Sequence, residues 1–80
     1  MKCLEIDYDA AHYAQHDESI RSRLDQIVEA AGGQFTGSGM GLGHRDFSYD
    51  VPAQNVGAVA QACHEVVARF SGRVLISACS

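Results

Sequence analysis

Carboxylates recur at every second position, or nearly so, in two separate segments of the chain. The first segment carries Glu5, Asp7 and Asp9, and the second carries Asp46 and Asp50. Side chains at alternate positions of a β-strand lie on the same side of the sheet. Each segment therefore offers a row of negative charge, and we call the five residues together the acidic face. Such a face could serve acid–base catalysis, hold a cation or contact a basic partner.

Each of these chemistries places its own demand on the acidic face. Acid–base catalysis requires carboxyl groups with shifted pKa values, which need burial or a cleft. Oxygen ligands from Asp7, Asp9 and Asp50 could hold Mg²⁺ or Ca²⁺, but their spacing matches no cation-binding loop motif. A solvated face whose charge discourages aggregation is the simplest alternative. We expect a partner-binding surface, with no catalytic residue, no metal site and no cofactor.

Glycine also recurs at every second position, in the segment GSGMGLG at residues 37–43. The segment is not a P-loop, because no Gly-Lys-Ser/Thr follows it, and it lacks the third glycine of the dinucleotide-binding motif. Alternating glycines leave one face of a strand without side chains. Either a helix or a partner approaches the backbone closely there, or the segment is a mobile hairpin. As a recognition hairpin, its edge would carry Met40 and Leu42 as apolar contacts beside Arg45.

Cysteine and histidine residues show no arrangement typical of catalysis. Cys63 falls on an apolar helical stripe, which predicts a core position. Cys3 and Cys79 belong to strands that we expect to be neighbours, so they could approach one another. Three cysteines are an odd number and fit a reducing compartment better than a disulfide framework. His12 and His16 are four residues apart but lack further ligands, so we expect surface histidines, and we do not expect an enzyme.

Apolar periodicity assigns the first half of the chain to a strand and a helix. Residues 2–9 alternate strictly, which predicts a half-buried strand. Residues 10–16 have no clear period and predict a connection or an early helical turn. An apolar stripe over residues 20–31 predicts a helix in which Asp17 accepts a hydrogen bond from the first turn. The glycine pair at 32–33 ends that helix.

The second half predicts two strands around the glycine-rich turn, then a helix and a final strand. Residues 44–51 alternate until Pro52 stops the strand, an apolar stripe covers residues 56–70, and residues 73–79 follow as a strand. The order β-α-β-β-α-β predicts one α+β domain over residues 1–80, a ferredoxin-like sandwich with sheet order 4-1-3-2 and both helices on one face. The core-facing side chains of the central strands are then Leu4, Ile6, Tyr8, Phe47, Tyr49 and Val51.

Charge and hydropathy limit the kinds of partner. The 80 residues include ten acidic and six basic side chains, and the whole formal charge of −4 falls within residues 1–30. Direct binding to nucleic acid is not expected without a Lys/Arg cluster, whereas an acidic protein suits a basic partner. No apolar run is long enough to span a bilayer, and the start of the chain, with Glu5 so close to Lys2, does not match a signal peptide. We therefore expect a cytoplasmic protein that does not bind membranes.

In size, charge placement and lack of catalytic motifs, the chain resembles the small acidic inhibitors of phages and bacteria, such as anti-CRISPR and toxin-immunity proteins. The resemblance implies a non-enzymatic protein that blocks a basic surface of a larger protein or nucleoprotein complex, most concretely an anti-CRISPR type inhibitor. Other ferredoxin-like families fit less well, since copper chaperones need a Cys-x-x-Cys motif and RNA-recognition sheets need aromatic residues where Glu5 and Asp7 stand. A toxin-immunity protein and a homo-oligomeric small-ligand or sensor module, including a homodimer, are the alternatives.

Overall fold

A computed structural model describes residues 1–78 of the chain. Its strands are β1 (Lys2–Asp9), β2 (Gln34–Gly41), β3 (His44–Val51) and β4 (Arg73–Ala78). Its helices are α1 (Ala10–Tyr13), α2 (Asp17–Ala30) and α3 (Val56–Val67), with short 3₁₀ turns at Ala14–His16, Ala53–Asn55 and Ala68–Phe70. The element order confirms the predicted sequence of four strands and two main helices, with α1 and the first 3₁₀ turn filling the predicted connection.

The four strands form one antiparallel sheet in the order β2-β3-β1-β4. This is the predicted 4-1-3-2 order read from the other edge, and it confirms the α+β ferredoxin-like arrangement. β1 and β3 are the central pair, and Asp7 lies directly opposite Asp46 in their register. β2 and β4 form the two edges of the sheet. The central pair therefore carries both rows of the acidic face side by side.

Alternation along the central strands decides which side of the sheet the helices cover. The predicted core-facing side chains of β1 and β3 are all buried, each at most 3% exposed. They pack against Ile20, Leu24 and Val28 of α2 and against Cys63 of α3, which confirms the predicted stripes. Burial of this contiguous apolar surface is the main source of folding free energy. Val66 is also buried, although the predicted stripe of this helix did not include it and consisted of Val56, Val59, Ala60, Cys63, Val67 and Phe70.

The start of α2 differs from the prediction. Asp17 is the first helical residue and His16 is the N-cap, with no hydrogen bond from its side chain. The chain is already helical through the preceding 3₁₀ turn, so Asp17 is not needed as a cap. Its carboxylate instead accepts hydrogen bonds from Tyr8 of β1 and Arg45 of β3.

Two residues with positive φ join β2 to β3. Leu42 has a φ of 53° and Gly43 a φ of 80°, the combination found in the two-residue turns that match the twist of a β-hairpin. Leu42 is fully exposed at this tip. The predicted hairpin is therefore confirmed, with an apolar residue in a conformation that costs a side chain about 1 kcal/mol or more.

The three helices are short relative to a bilayer. Within residues 1–78, none combines the length and the apolar character that a membrane-spanning helix requires.

Candidate interaction surface

The side of the sheet opposite the helices carries the carboxylates. Register places Glu5 opposite Ser48 and Asp7 opposite Asp46 on the two central strands. Since the apolar side chains of both strands face the helices, these polar side chains point to the other side. Both main helices pack against the apolar side, and the polar residues of the opposite side remain exposed or half-buried.

Three carboxylates converge at the centre of this surface. Oxygens of Glu5, Asp7 and Asp46 all lie within 4.8 Å of one another, and we call these residues the carboxylate cluster. Like charges opposite one another in a sheet are destabilising. Arg73 on β4 offsets part of the repulsion, because its Nε donates to Asp7 Oδ2 at 3.2 Å while its own side chain stays 71% exposed. In the described part of the chain, the three negative charges are thus offset by one positive side chain, that of Arg73, which is largely exposed to solvent.

The remaining acidic-face residues lie apart from the cluster. Asp9 caps α1, accepting from the backbone N–H of His12 at 3.3 Å and contacting His12 Nδ1 at 2.6 Å. The hydrogen bond from His12 lowers the pKa of Asp9 below its usual value. Asp50 lies opposite Cys3 at the other end of the pair. The predicted five-residue surface is therefore a compact cluster of three carboxylates, with Asp9 and Asp50 at its ends.

The sequence also predicted that Cys3 and Cys79 could approach one another. Cys79 lies outside the described residues, so this prediction stays a prediction.

Glycines of β2 border the acidic face on one side. Gly37, Gly39 and Gly41 lie opposite Ser48, Asp46 and His44, so they share the side of the sheet that carries the cluster. A β-carbon at Gly37 or Gly41 would meet no atom of the described chain within 4 Å. The alternation thus strips this face of β2, as predicted, and a helix does not approach it. The result is a flat margin of backbone next to the cluster.

The predicted hairpin residues do not join the acidic face. Met40 lies opposite Arg45, and both belong to the side of the sheet that faces the helices. Arg45 Nη2 donates to Asp17 Oδ2 at 3.1 Å instead of pointing to a partner. Met40 is 55% exposed and Leu42 projects from the tip. The structure therefore separates Met40, Leu42 and Arg45 from the carboxylates, because Arg45 follows the parity of the buried residues.

A polar cleft lies on the helix side, between α2 and the β2–β3 hairpin. It is an open groove with a volume of about 450 Å³, and it is lined by Asp17, Glu18, Arg21, Ser22, Asp25, Ser38, Arg45 and Phe47. Tyr49 donates to Asp25 Oδ1 at 2.6 Å, and Arg21 Nε lies 3.5 Å from Asp25 Oδ2. The Arg21 guanidinium also stacks on Phe35, 3.8 Å from the ring centroid. Sequence patterns did not predict this cleft, although Arg45 on an otherwise apolar strand parity was a signal for it.

Two buried tyrosines donate hydrogen bonds to aspartates that line the cleft. The hydroxyls of Tyr8 and Tyr49 donate to Asp17 and Asp25, respectively. Burial, followed by the hydrogen bond to the carboxylate, raises the pKa of each tyrosine above its usual value, so both remain protonated donors. Each aspartate thus accepts from a tyrosine and pairs with an arginine. Arg45 Nε has no hydrogen-bond partner among the described residues. An arrangement of this kind can bind a small polar molecule.

The structure also places the residues considered for a cation site and the buried cysteine Cys63. The carboxylate cluster offers oxygen ligands suited to Mg²⁺ or Ca²⁺, but it uses Glu5 and Asp46 where the sequence indicated Asp9 and Asp50. Arg73 donates to Asp7 Oδ2, so one of the two Asp7 oxygens is already engaged. Cys63 is fully buried, and burial raises the pKa of its thiol to about 11, which keeps it protonated and confirms its predicted core position.

Neither protein-family models nor curated proteins match the chain. Solved structures do. The de novo designed protein Ferredog-Diesel is 12% identical, with a TM-score of 0.60 over 95% of this chain and 82% of its own. CPII, a nitrogen regulatory PII-like protein from Thiomonas intermedia K12 solved with ADP, AMP and bicarbonate, is 26% identical, with a TM-score of 0.56 over 94% of this chain and 84% of its own.

A third match is a C-terminal segment of the alpha subunit of aIF2 from Pyrococcus abyssi. It is 12% identical, with a TM-score of 0.55 over 98% of this chain and 50% of the matched chain. The chain therefore spans about half the length of that protein segment. Together these likenesses establish the ferredoxin-like fold.

Proposed function

We propose that this protein is a non-enzymatic interaction module whose acidic face binds a basic surface of a larger protein. The observation that carries the proposal is the convergence of Glu5, Asp7 and Asp46 within 4.8 Å on the side of the sheet away from the helices. Keeping three carboxylates together costs folding free energy. Arginine or lysine side chains of a partner would remove that repulsion and form charge-assisted hydrogen bonds.

The shape of the surface supports the same proposal. The glycine margin of β2 allows a partner to approach the backbone closely at Gly37 and Gly41, which have open space above them, while the Asp46 carboxylate lies next to Gly39 between them. Both central strands are paired on each side, so their backbone loses little conformational entropy on binding. Electrostatic attraction would also accelerate association with a basic protein.

Proteins that bind nucleic acids present such basic surfaces. We therefore propose that the partner is a cytoplasmic nucleic-acid-handling protein, and that the acidic face occupies the site where phosphates would bind. An anti-CRISPR type inhibitor is the most concrete form of this proposal, and a toxin-immunity protein is a second form. The two differ in the partner, a CRISPR effector complex or a nuclease toxin.

A pull-down with matched baits tests the proposal. The wild-type protein, the Asp7→Lys/Asp46→Lys variant and the Glu29→Lys/Glu65→Lys variant would be immobilised and incubated with host lysate. Both variants change the net charge by the same amount, but Glu29 and Glu65 are exposed helix residues away from the sheet surface. We expect a basic nucleic-acid-binding protein on the wild-type and Glu29/Glu65 baits alone. Equal capture by all three baits would contradict the proposal.

A second candidate is a homo-oligomeric small-ligand module that uses the cleft between α2 and the β2–β3 hairpin. It is favoured by the 26% identity to CPII, which was solved with ADP, AMP and bicarbonate, and by the two arginines, Arg21 and Arg45, that line the cleft. Isothermal titration calorimetry with ADP, AMP and bicarbonate tests it. Binding that is lost in Arg45→Ala but retained in Asp7→Lys/Asp46→Lys would support this candidate, and no heat with any of the three would contradict it.

A further inference from the structure

The two edges of the sheet differ in how well they are protected. β2 contains a register irregularity between Phe35 and Gly37, and bulges of this kind discourage pairing with another strand. β4 pairs with β1 in a continuous register from Arg73 to Ala78. Its sequence, RVLISA, has no proline, lysine or acidic residue that would discourage another strand from pairing with it. Within residues 1–78, the β4 edge is therefore the less protected of the two, with Arg73 at its start as its one charged residue.

Exposed apolar side chains on β4 lie on both sides of the sheet. Leu75 lies opposite Glu5 and so belongs to the side that carries the carboxylate cluster, where it is 43% exposed. Ile76 lies opposite Leu4, on the helix side, and is 49% exposed. Val74 on the helix side is half-buried. A ribbon of apolar surface thus runs along this edge, and a strand added beside β4 would cover it.

The pattern of β4 fits a second copy of itself. Residues that pair across antiparallel strands point to the same side of the sheet. If two β4 strands pair about a twofold axis at Leu75, then Leu75 meets Leu75 of the second copy, and Val74 meets its Ile76. In this register Arg73 meets Ser77, so the two arginines do not face each other. Leu75 and Ile76, the large apolar residues exposed on β4, then each have an apolar neighbour.

Charge does not prevent a second copy from binding at this edge. The acidic residues of the cluster lie on β1 and β3 and point out of the sheet, not toward the β4 edge. Pairing of two β4 strands would place the two β1 strands three strand spacings apart, roughly 14 Å. This separation exceeds the Debye length of about 8 Å at physiological ionic strength. Repulsion between the two clusters would therefore be largely screened.

We propose that the protein forms a symmetric dimer through antiparallel pairing of its β4 strands, with Leu75 of each copy at the twofold axis. The dimer has one continuous eight-stranded sheet, both acidic faces on the same side and all four main helices on the other. Backbone hydrogen bonds across the new strand pair and burial of Val74, Leu75 and Ile76 stabilise it. The acidic faces stay open, so a dimer could present two of them to one partner.

Sedimentation equilibrium tests the dimer and its register. We expect the wild-type protein to be dimeric in the micromolar range. Leu75→Lys and Leu75→Asp should each be monomeric, because like charges would meet at the twofold axis. An equimolar mixture of the two variants should restore a dimer, since lysine would then face aspartate. Leu42→Lys, at the exposed hairpin tip, is the matched control and should leave the wild-type dimer intact.

Several outcomes would overturn the proposal. A monomeric wild-type protein at all concentrations would do so, as would a dimer that persists in both Leu75 variants. A mixture that remains monomeric would exclude the register centred on Leu75. Circular dichroism confirms folding of each variant, which we expect because Leu75 is partly exposed. Partner capture by the acidic face is measured with different substitutions, so failure of the dimer and failure of the proposed function are distinguishable.

Discussion

Asp46 lies directly opposite Asp7 across the two central strands, and Glu5 is the third member of the carboxylate cluster. A sheet selected for stability alone would place a neutral or basic residue at one of these positions. The proposed function explains why all three carboxylates are present despite their mutual repulsion. It also predicts that removal of one charge makes the isolated protein more stable.

We expect Asp46→Asn to raise the free energy of unfolding by about 0.5 kcal/mol at low salt, because one like-charge pair is removed. Urea denaturation at neutral pH measures the change. The gain should shrink as sodium chloride is added, since salt screens the repulsion in the wild-type protein. Glu29→Gln, on the exposed end of α2, is the control and should have little effect. Destabilisation by Asp46→Asn at low salt would contradict the account of the cluster.

Not every residue could be placed from the sequence. Alternation alone assigned Glu5, Asp7 and Asp46 to one side of the sheet, because strand parity is a local property. Asp9 follows the same parity, but α1 begins directly after it and its carboxylate caps that helix. Alternation also placed Arg45 on the buried parity, but it could not identify Asp17, distant in sequence, as the acceptor of its hydrogen bond. Contacts between residues far apart along the chain have no local signature.

At the scale of elements, the alternating glycines of β2 and the second glycine of the pair after α2 have different roles. Gly33 follows α2, where a β-carbon would lie 2.6 Å from the backbone oxygen of Asp50 and 2.6 Å from Val28 Cγ1. Gly37 on β2 has open space at the same position. The first glycine permits close packing of α2 against the sheet, whereas the second leaves the margin of the acidic face bare.

Alanine substitutions separate these roles. We expect Gly33→Ala to lower the free energy of unfolding by about 1–3 kcal/mol, because helix and sheet must move apart. Gly37→Ala should be neutral or stabilising by up to about 1 kcal/mol, since alanine loses less backbone entropy on folding. Thermal and urea denaturation of both variants measure the difference. A Gly37→Ala variant as unstable as Gly33→Ala would show that the glycine row has a structural role.

The order of elements could be predicted because helix and strand periods differ and because glycine and proline mark their ends. The Phe35–Gly37 irregularity in β2 could not, since it depends on how that strand pairs with β3. The cleft was missed for a related reason. It forms because α2 leaves the helix side of the hairpin partly open, and the separation of two elements is not encoded in either one alone.

At the scale of the whole molecule, the candidate functions lie on different surfaces. The sheet side presents the carboxylate cluster, the helix side contains the cleft, and the β4 edge carries the exposed apolar ribbon. These three surfaces involve different residues. Substitutions at Asp7 and Asp46, at Arg45 and at Leu75 therefore test partner binding, small-ligand binding and dimer formation separately.

The central claim is that the carboxylate cluster binds a basic partner, and the affinity of the purified, captured partner tests it most directly. Titration calorimetry would compare the wild-type protein, Asp7→Lys/Asp46→Lys and Glu29→Lys/Glu65→Lys at several salt concentrations. We predict that the cluster variant weakens binding on the order of 100-fold, that the control variant stays close to wild type, and that wild-type affinity falls steeply with salt. Equal affinities for the two variants, with native circular dichroism for both, would contradict the claim.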